Sequence, residues 1–218
     1  MKITYIIPLF FVIVLCGCYR KSKFTITAPL KIDLSYNINQ VGAFTSTKII
    51  NEVDITSKLA KNGYYFDDGK IDKVTLQSIS AGANVEDANT AQTIQIEAVV
   101  DGDNGKKVLL NKSQVITIES SRRGDILNAL GTLVGVDKNN ITLRNAIDLI
   151  NAVGVKDFEG KIQNMIEENI NEGIKVDLNG YVPTNQRLVM NLNIQISLLI
   201  TYSKCEHVIT IFPEECYL

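Results

Sequence analysis

Tryptophan is absent from this chain, histidine occurs once, and there are four prolines in 218 residues. A single imidazole, at His207, removes most routes to nucleophilic catalysis, because a serine or cysteine nucleophile generally needs a base beside it. His207 falls in a β-like run, and no Gly-x-Ser-x-Gly elbow occurs anywhere. Neither sign of charge is in marked excess: 22 basic residues face 24 acidic ones, giving a net charge of −2. The basic stripe that nucleic acids require is missing, so no nucleic-acid partner is expected. Phosphate-cradling glycine loops of the Walker or dinucleotide type are missing too.

What is present begins at the N-terminus. Met1-Lys2 is a short positive start, Ile3 to Leu15 is almost wholly apolar, and Gly17 is small. That is the layout of an export signal, and it falls short of the roughly 20 apolar residues a membrane-spanning helix needs. Leu15-Cys16-Gly17-Cys18 resembles the lipobox of bacterial lipoproteins. The resemblance implies that residues 1–17 are a signal peptide, removed by cleavage after Gly17, and that Cys18 becomes the lipidated N-terminal residue. It covers the first eighteen residues only, and no family is recognised for the rest. More than one acyl chain makes membrane attachment stable without a spanning helix.

Residues 18–23 then read as the lipidated Cys and a short basic tether, with Arg20, Lys21 and Lys23 free to lean on anionic headgroups. Tyr19 stands where inner-membrane lipoproteins often carry Asp, and the tether is not acidic. By the same resemblance this points to the periplasmic face of the outer membrane.

An exported chain sits in an oxidising compartment, where Cys205 and Cys216 are a candidate disulfide. A straight strand from His207 to Phe212 would hold them roughly 20 Å apart, so the tail must fold back, at Pro213-Glu214-Glu215, for the bond to form. Cys205, His207 and Cys216 also put three soft ligands close together, but not at a zinc spacing. No metal, cofactor or catalytic set is expected.

The dominant pattern is Leu188 to Tyr202, where Leu188, Met190, Leu192, Ile194, Ile196, Leu198, Ile200 and Tyr202 alternate with mostly polar, uncharged residues. This is one amphipathic strand, about 45–50 Å long. Further strands are expected at Phe24–Thr27 and Leu30–Tyr36, parted by a kink or sheet switch at Pro29. Others are expected at Thr47–Val53, Ile71–Ile79, Thr93–Val100 and Val115–Ile118. Asp101-Gly102-Asp103-Asn104-Gly105 is a hairpin turn; as a calcium loop its glycine and its closing Glu are misplaced. Ser80–Gln92 is small and polar and reads as a loop. Asp54 to Lys61 is a short helix stopped by Asn62-Gly63.

Helical periodicity takes over at about 124–172. Ile126 to Val134 forms one stripe. Leu143 to Val153 forms a second, stopped by Gly154. Phe158 to Ile170 forms a third, capped by Asp157. Ile174 to Leu178 returns to period two, broken at Gly180, and is expected to make a hairpin with the long strand.

Residues 24–218 therefore predict a single domain of mainly β class: an antiparallel β-sandwich-like fold with an inserted three-helix segment. The alternative is α+β, with a long curved sheet wrapping a helix. Function is expected to be that of a membrane-anchored envelope lipoprotein, non-catalytic, acting as an interaction or scaffold module for an envelope protein partner. A carrier of lipid or another apolar ligand is the alternative, and would need a continuous apolar cavity beside Leu188–Tyr202. An envelope hydrolase is a further alternative, and would need two carboxyls converging from distant segments.

Overall fold

The computed structural model describes residues 19–65, 69–86, 88–102, 105–113, 116–117, 150–168 and 173–209. The lipobox with Cys18, the helices expected at Ile126–Val134 and in most of Leu143–Val153, and Cys216 lie outside the described residues.

The class is mainly β, with two antiparallel sheets, which fits a sandwich-like arrangement. The first sheet is long and narrow. In it β8 (Arg187–Ile209) lies between β1 (Tyr19–Val41) and β3 (Gly69–Val85). The second has the order β2 (Phe44–Ile50), β7 (Ile174–Tyr181), β4 (Thr93–Gly102), β5 (Gly105–Leu110), with β6 (Ile116–Thr117) also on β4.

Period-two alternation builds the core. The even-numbered residues of β8 from Leu188 to Tyr202 are all buried, as are Ala28, Leu30, Ile32, Leu34, Tyr36 and Ile38 of β1. They join Ile94, Ile96, Ala98, Val176 and Leu178 of the second sheet in one apolar cluster. Tyr36 Oη ties the layers together by donating to the Val176 carbonyl at 3.2 Å.

Several boundaries differ from expectation, each for a local reason. β1 is continuous through Pro29, with no kink and no switch of sheet. Lys58 Nζ donates to the Lys31 carbonyl at 2.8 Å, so the backbone groups of Lys31 point away from β8. Pro29, two residues earlier, shares that orientation, and its missing N–H faces the open edge, where a strand tolerates proline. Tyr19 to Lys23 is strand, paired with β8 as far as Ile209, rather than a tether. Ser80–Val85 continues β3 instead of starting a loop, held by register with β8.

β7 and β8 are not a hairpin: they lie in different sheets, and 182–186 crosses between them. β7 also runs through Gly180, because its cross-strand partner Phe44 lays its ring where a side chain would stand. β4 and β5 pair antiparallel up to Gly102 opposite Gly105, as the expected hairpin requires.

The first helix, α1 (Glu52–Lys61), begins ahead of Asp54 and ends at Asn62, followed by Gly63 at φ 83°. The second, α2 (Ala152–Glu168), runs through both the expected stop and the expected cap. Its cap is Asn151, whose Oδ1 accepts from the N–H groups of Val153 and Gly154 at 3.1 Å each. Gly154 is there for close approach: a Cβ would strike the Val108 carbonyl of β5.

Placed so, α2 bridges the open side between β3 and β5. Phe158 and Ile162 are fully buried, and a polar stripe one helical turn apart meets the free edge of β3. The Glu159 carboxylate accepts from the Leu76 N–H at 2.6 Å. The Glu167 carboxylate accepts from the Ile71 N–H at 3.1 Å, and Gln163 donates to the Ile71 carbonyl at 3.2 Å.

Candidate functional surfaces

Three surfaces gather chemistry-bearing side chains. The first is a groove of about 350 Å³ where the edges of β1 and β2 part and α1 spans them. Ile32, Leu34, Ile50 and Ile55 contribute its apolar wall, and Asp33, Asp54, Lys58 and Lys61 its charged lip. Asp33 and Asp54 come from distant segments, which is the arrangement a hydrolase would need. Asp33, however, is already engaged: Gln195 donates to one oxygen at 2.8 Å and Lys58 Nζ to the other at 3.1 Å. The Gln195 hydrogen bond lowers its carboxyl pKa, partial burial opposes this, and the charges of Lys58 and Lys31 add to the lowering. Asp33 is thus held as an anion in an ion pair, the opposite of the raised pKa a general acid requires.

The second surface is the outer face of the shorter sheet. Asp177 is nearly buried and accepts from Thr47 Oγ1 and from Lys106 Nζ, both at 2.6 Å. Burial pushes this carboxyl up, but the hydrogen bonds from Lys106 and Thr47 and the charges of Lys106 and Lys175 more than offset it, so its pKa is lowered. Glu97 accepts from Asn179 at 3.0 Å and from the Tyr181 hydroxyl at 3.2 Å, and Lys112 lies 3.7 Å over the Tyr181 ring. Each carboxylate is satisfied by its neighbours, as in a structural polar ladder.

The third surface is the outer face of the long sheet. Residues directly opposite on antiparallel strands share a face. Lys23 stands opposite Cys205, Lys70 opposite Ser203, Lys73 opposite Thr201 and Lys31 opposite Ser197. All four lysines are exposed. The acids beside them are Asp33, paired with Lys58, and Asp72, which accepts a hydrogen bond from Ser203. Farther along, Ser35 donates to Asn193 at 2.6 Å, Glu86 accepts from Asn191 at 3.1 Å and Arg187 donates to Asn39 at 2.8 Å. The four lysines thus cluster toward the end where β1 begins.

Of the site residues expected from sequence, Cys205 lies on β8 and is disulfide-bonded, with its partner outside the described residues. His207 also belongs to β8, opposite Lys21. The lysine face and the Asp33–Lys58 groove were not foreseen. Alternation shows which β1 and β8 residues share a face, but only the register brings Lys70 and Lys73 beside them, and no local signal carries that. The inner row of Leu188–Tyr202, which a carrier would turn toward a ligand, is instead packed against side chains of the second sheet.

Among the described residues, no group of three or more His, Cys, Asp or Glu could hold a metal ion. No helix among them is long and apolar enough to cross a membrane.

No protein-family model and no curated protein matches the chain. Solved structures resembling it include turnip yellow mosaic virus, at TM-score 0.35 and 11% identity over 87% of this chain and 97% of that one. Another is the decameric BFDV capsid protein, at TM-score 0.29 and 6% identity over 82% and 99%. A third is Desmodium yellow mottle tymovirus, at TM-score 0.29 and 11% identity over 86% and 90%. Likeness at this level carries no conclusion about function.

Proposed function

We propose that the chain is a lipid-anchored protein of a bacterial cell envelope, held to the periplasmic face of the outer membrane through acylated Cys18. In this reading it is a non-catalytic interaction or scaffold module for an envelope protein partner. The observation that carries it is Leu15-Cys16-Gly17-Cys18 at the end of the apolar run from Ile3. Support for a binding role over a carrier comes from the packed inner row of β8. Support against acid–base chemistry comes from Asp33, Asp177 and Glu97, each held by close hydrogen-bonding partners.

The helical stripes at Ile126–Val134 and Leu143–Ile147 belong to the same reading as further helices ahead of α2, completing the inserted helical segment. Cys205 is paired with Cys216 by a chain reversal after β8.

The test is the intact mass of protein recovered from the membrane fraction. The expected result is a chain starting at Cys18, heavier by its acyl groups, with Cys18→Ala abolishing both processing and membrane retention. An unmodified chain would reject the anchor. Crosslinking in whole envelopes then tests the partner, and peptide mapping without reductant tests the Cys205–Cys216 bond.

A further inference from the structure

Strand β1 starts at Tyr19, directly after the proposed acylation site, so no linker separates the long sheet from the membrane. We infer that this sheet lies face-down on the bilayer, its outer face docked on anionic phospholipid headgroups through Lys23, Lys70 and Lys73, with Lys31 at the margin. The inference rests on the proposed acylation at Cys18. Charge complementarity identifies the occupant: at the end where β1 begins, four exposed lysines stand on this face against Asp72 and an Asp33 already paired with Lys58, while Glu86 and Arg187 lie at the far end.

Orientation follows from reach. Lys73 lies level with Thr27, through Thr201, on the three-stranded sheet. That is nine residues from Cys18, or about 30 Å along the strand. An upright sheet would lift Lys73 well beyond the Debye length of about 8 Å, where its charge is screened from the surface. Lying down brings all three lysines within contact, each contributing to attraction for an anionic leaflet. The neutral Ser, Thr, Asn and Gln rows flanking them can meet headgroups without burying unpaired charge.

The test uses the full chain, acylated in a bacterial envelope and reconstituted into phosphatidylcholine vesicles with or without phosphatidylglycerol. Lysines are acetylated under limiting conditions and quantified by mass spectrometry. Lys23, Lys70 and Lys73 should label about fivefold more slowly when phosphatidylglycerol is present and recover at high salt. Lys156 and Lys175, on α2 and the other sheet, should not change. A K70E/K73E variant, altered only at exposed positions, should lose the protection of Lys23.

Equal labelling in both vesicles, or protection of Lys23 without Lys70 and Lys73, overturns the face-down geometry. The intact mass of the same sample reports acylation separately. If it shows none, the anchor has failed, and salt-sensitive cosedimentation of the unacylated chain with phosphatidylglycerol vesicles decides the lysine face, absence of binding rejecting it.

Discussion

The two edges of the long sheet are finished in different ways. At β3 a whole helix is laid along the strand, and three of its polar side chains take up the backbone groups that a fourth strand would have taken. At β1 no described helix lies along the strand in this way; α1 only spans the gap between β1 and β2. One lysine from α1 reaches a single carbonyl, and a proline removes a donor two residues away. The first device satisfies backbone groups at Ile71 and Leu76 and adds a buried apolar face beneath the edge. The second leaves the edge open but makes it a poor template, since charge and proline discourage pairing with another strand. Sealing commits a helix to the purpose, whereas blunting needs only two or three residues. The sealed side should therefore dominate stability, and the blunted side should govern solubility.

The sharpest way to break the contrast is at Phe158, fully buried under α2. Phe158→Ala should cost about 3–5 kcal/mol in denaturant unfolding and should unseat the helix from β3. Gly154→Ala drives a methyl group into the Val108 carbonyl. Overpacking of that kind costs about 1–3 kcal/mol, read as a lower urea midpoint. Glu159→Ala strips the acceptor from the Leu76 N–H, at about 1–3 kcal/mol for an unsatisfied donor. Hydrogen exchange should quicken at Leu76 while the centre of β8 stays protected.

On the other edge Lys58→Ala should cost no more than about 1 kcal/mol, because its ion pair with Asp33 is largely exposed. Its visible effect should be self-association, measured by sedimentation, and stronger still when combined with Pro29→Thr.

The smallest effect concerns pH. Asp33 has its folded pKa below the ordinary 3.8. The ionised form is thus favoured by folding, and its contribution is present above 3.8 and lost as pH falls through the folded value. Stability on acidification should fall slightly less in Asp33→Asn than in the parent. An identical acid profile would show that the β1 edge draws nothing from the pair.

How much of this was legible in the sequence depends on whether the cause was local. Strand β8 was legible because alternation is a property of neighbouring residues, and the β4–β5 hairpin was legible for the same reason. Pro29 misled because a proline breaks a strand only when its ring nitrogen faces a partner, and the side on which β8 lies is set some 160 residues away, as at Asp33 and Gln195. Gly154 and Gly180 misled likewise. One glycine is there to admit a carbonyl of β5 and the other to admit the Phe44 ring, and neither ends its element. The third surface has no local signature, since its lysines converge through register across two strand pairs.

The pairing of β1 with β8 has a consequence for biogenesis. The first strand of the domain waits for the last: Asn39 finds Arg187 across 148 residues, and Asp33 finds Gln195 across 162. Such long-range closure is slow, because the entropy of the intervening chain is lost before contacts repay it. A chain emerging N-terminus first cannot zip its central ladder until nearly all of it has been delivered. Until then it stays open, and its apolar rows, Ala28 to Ile38 first among them, need shielding.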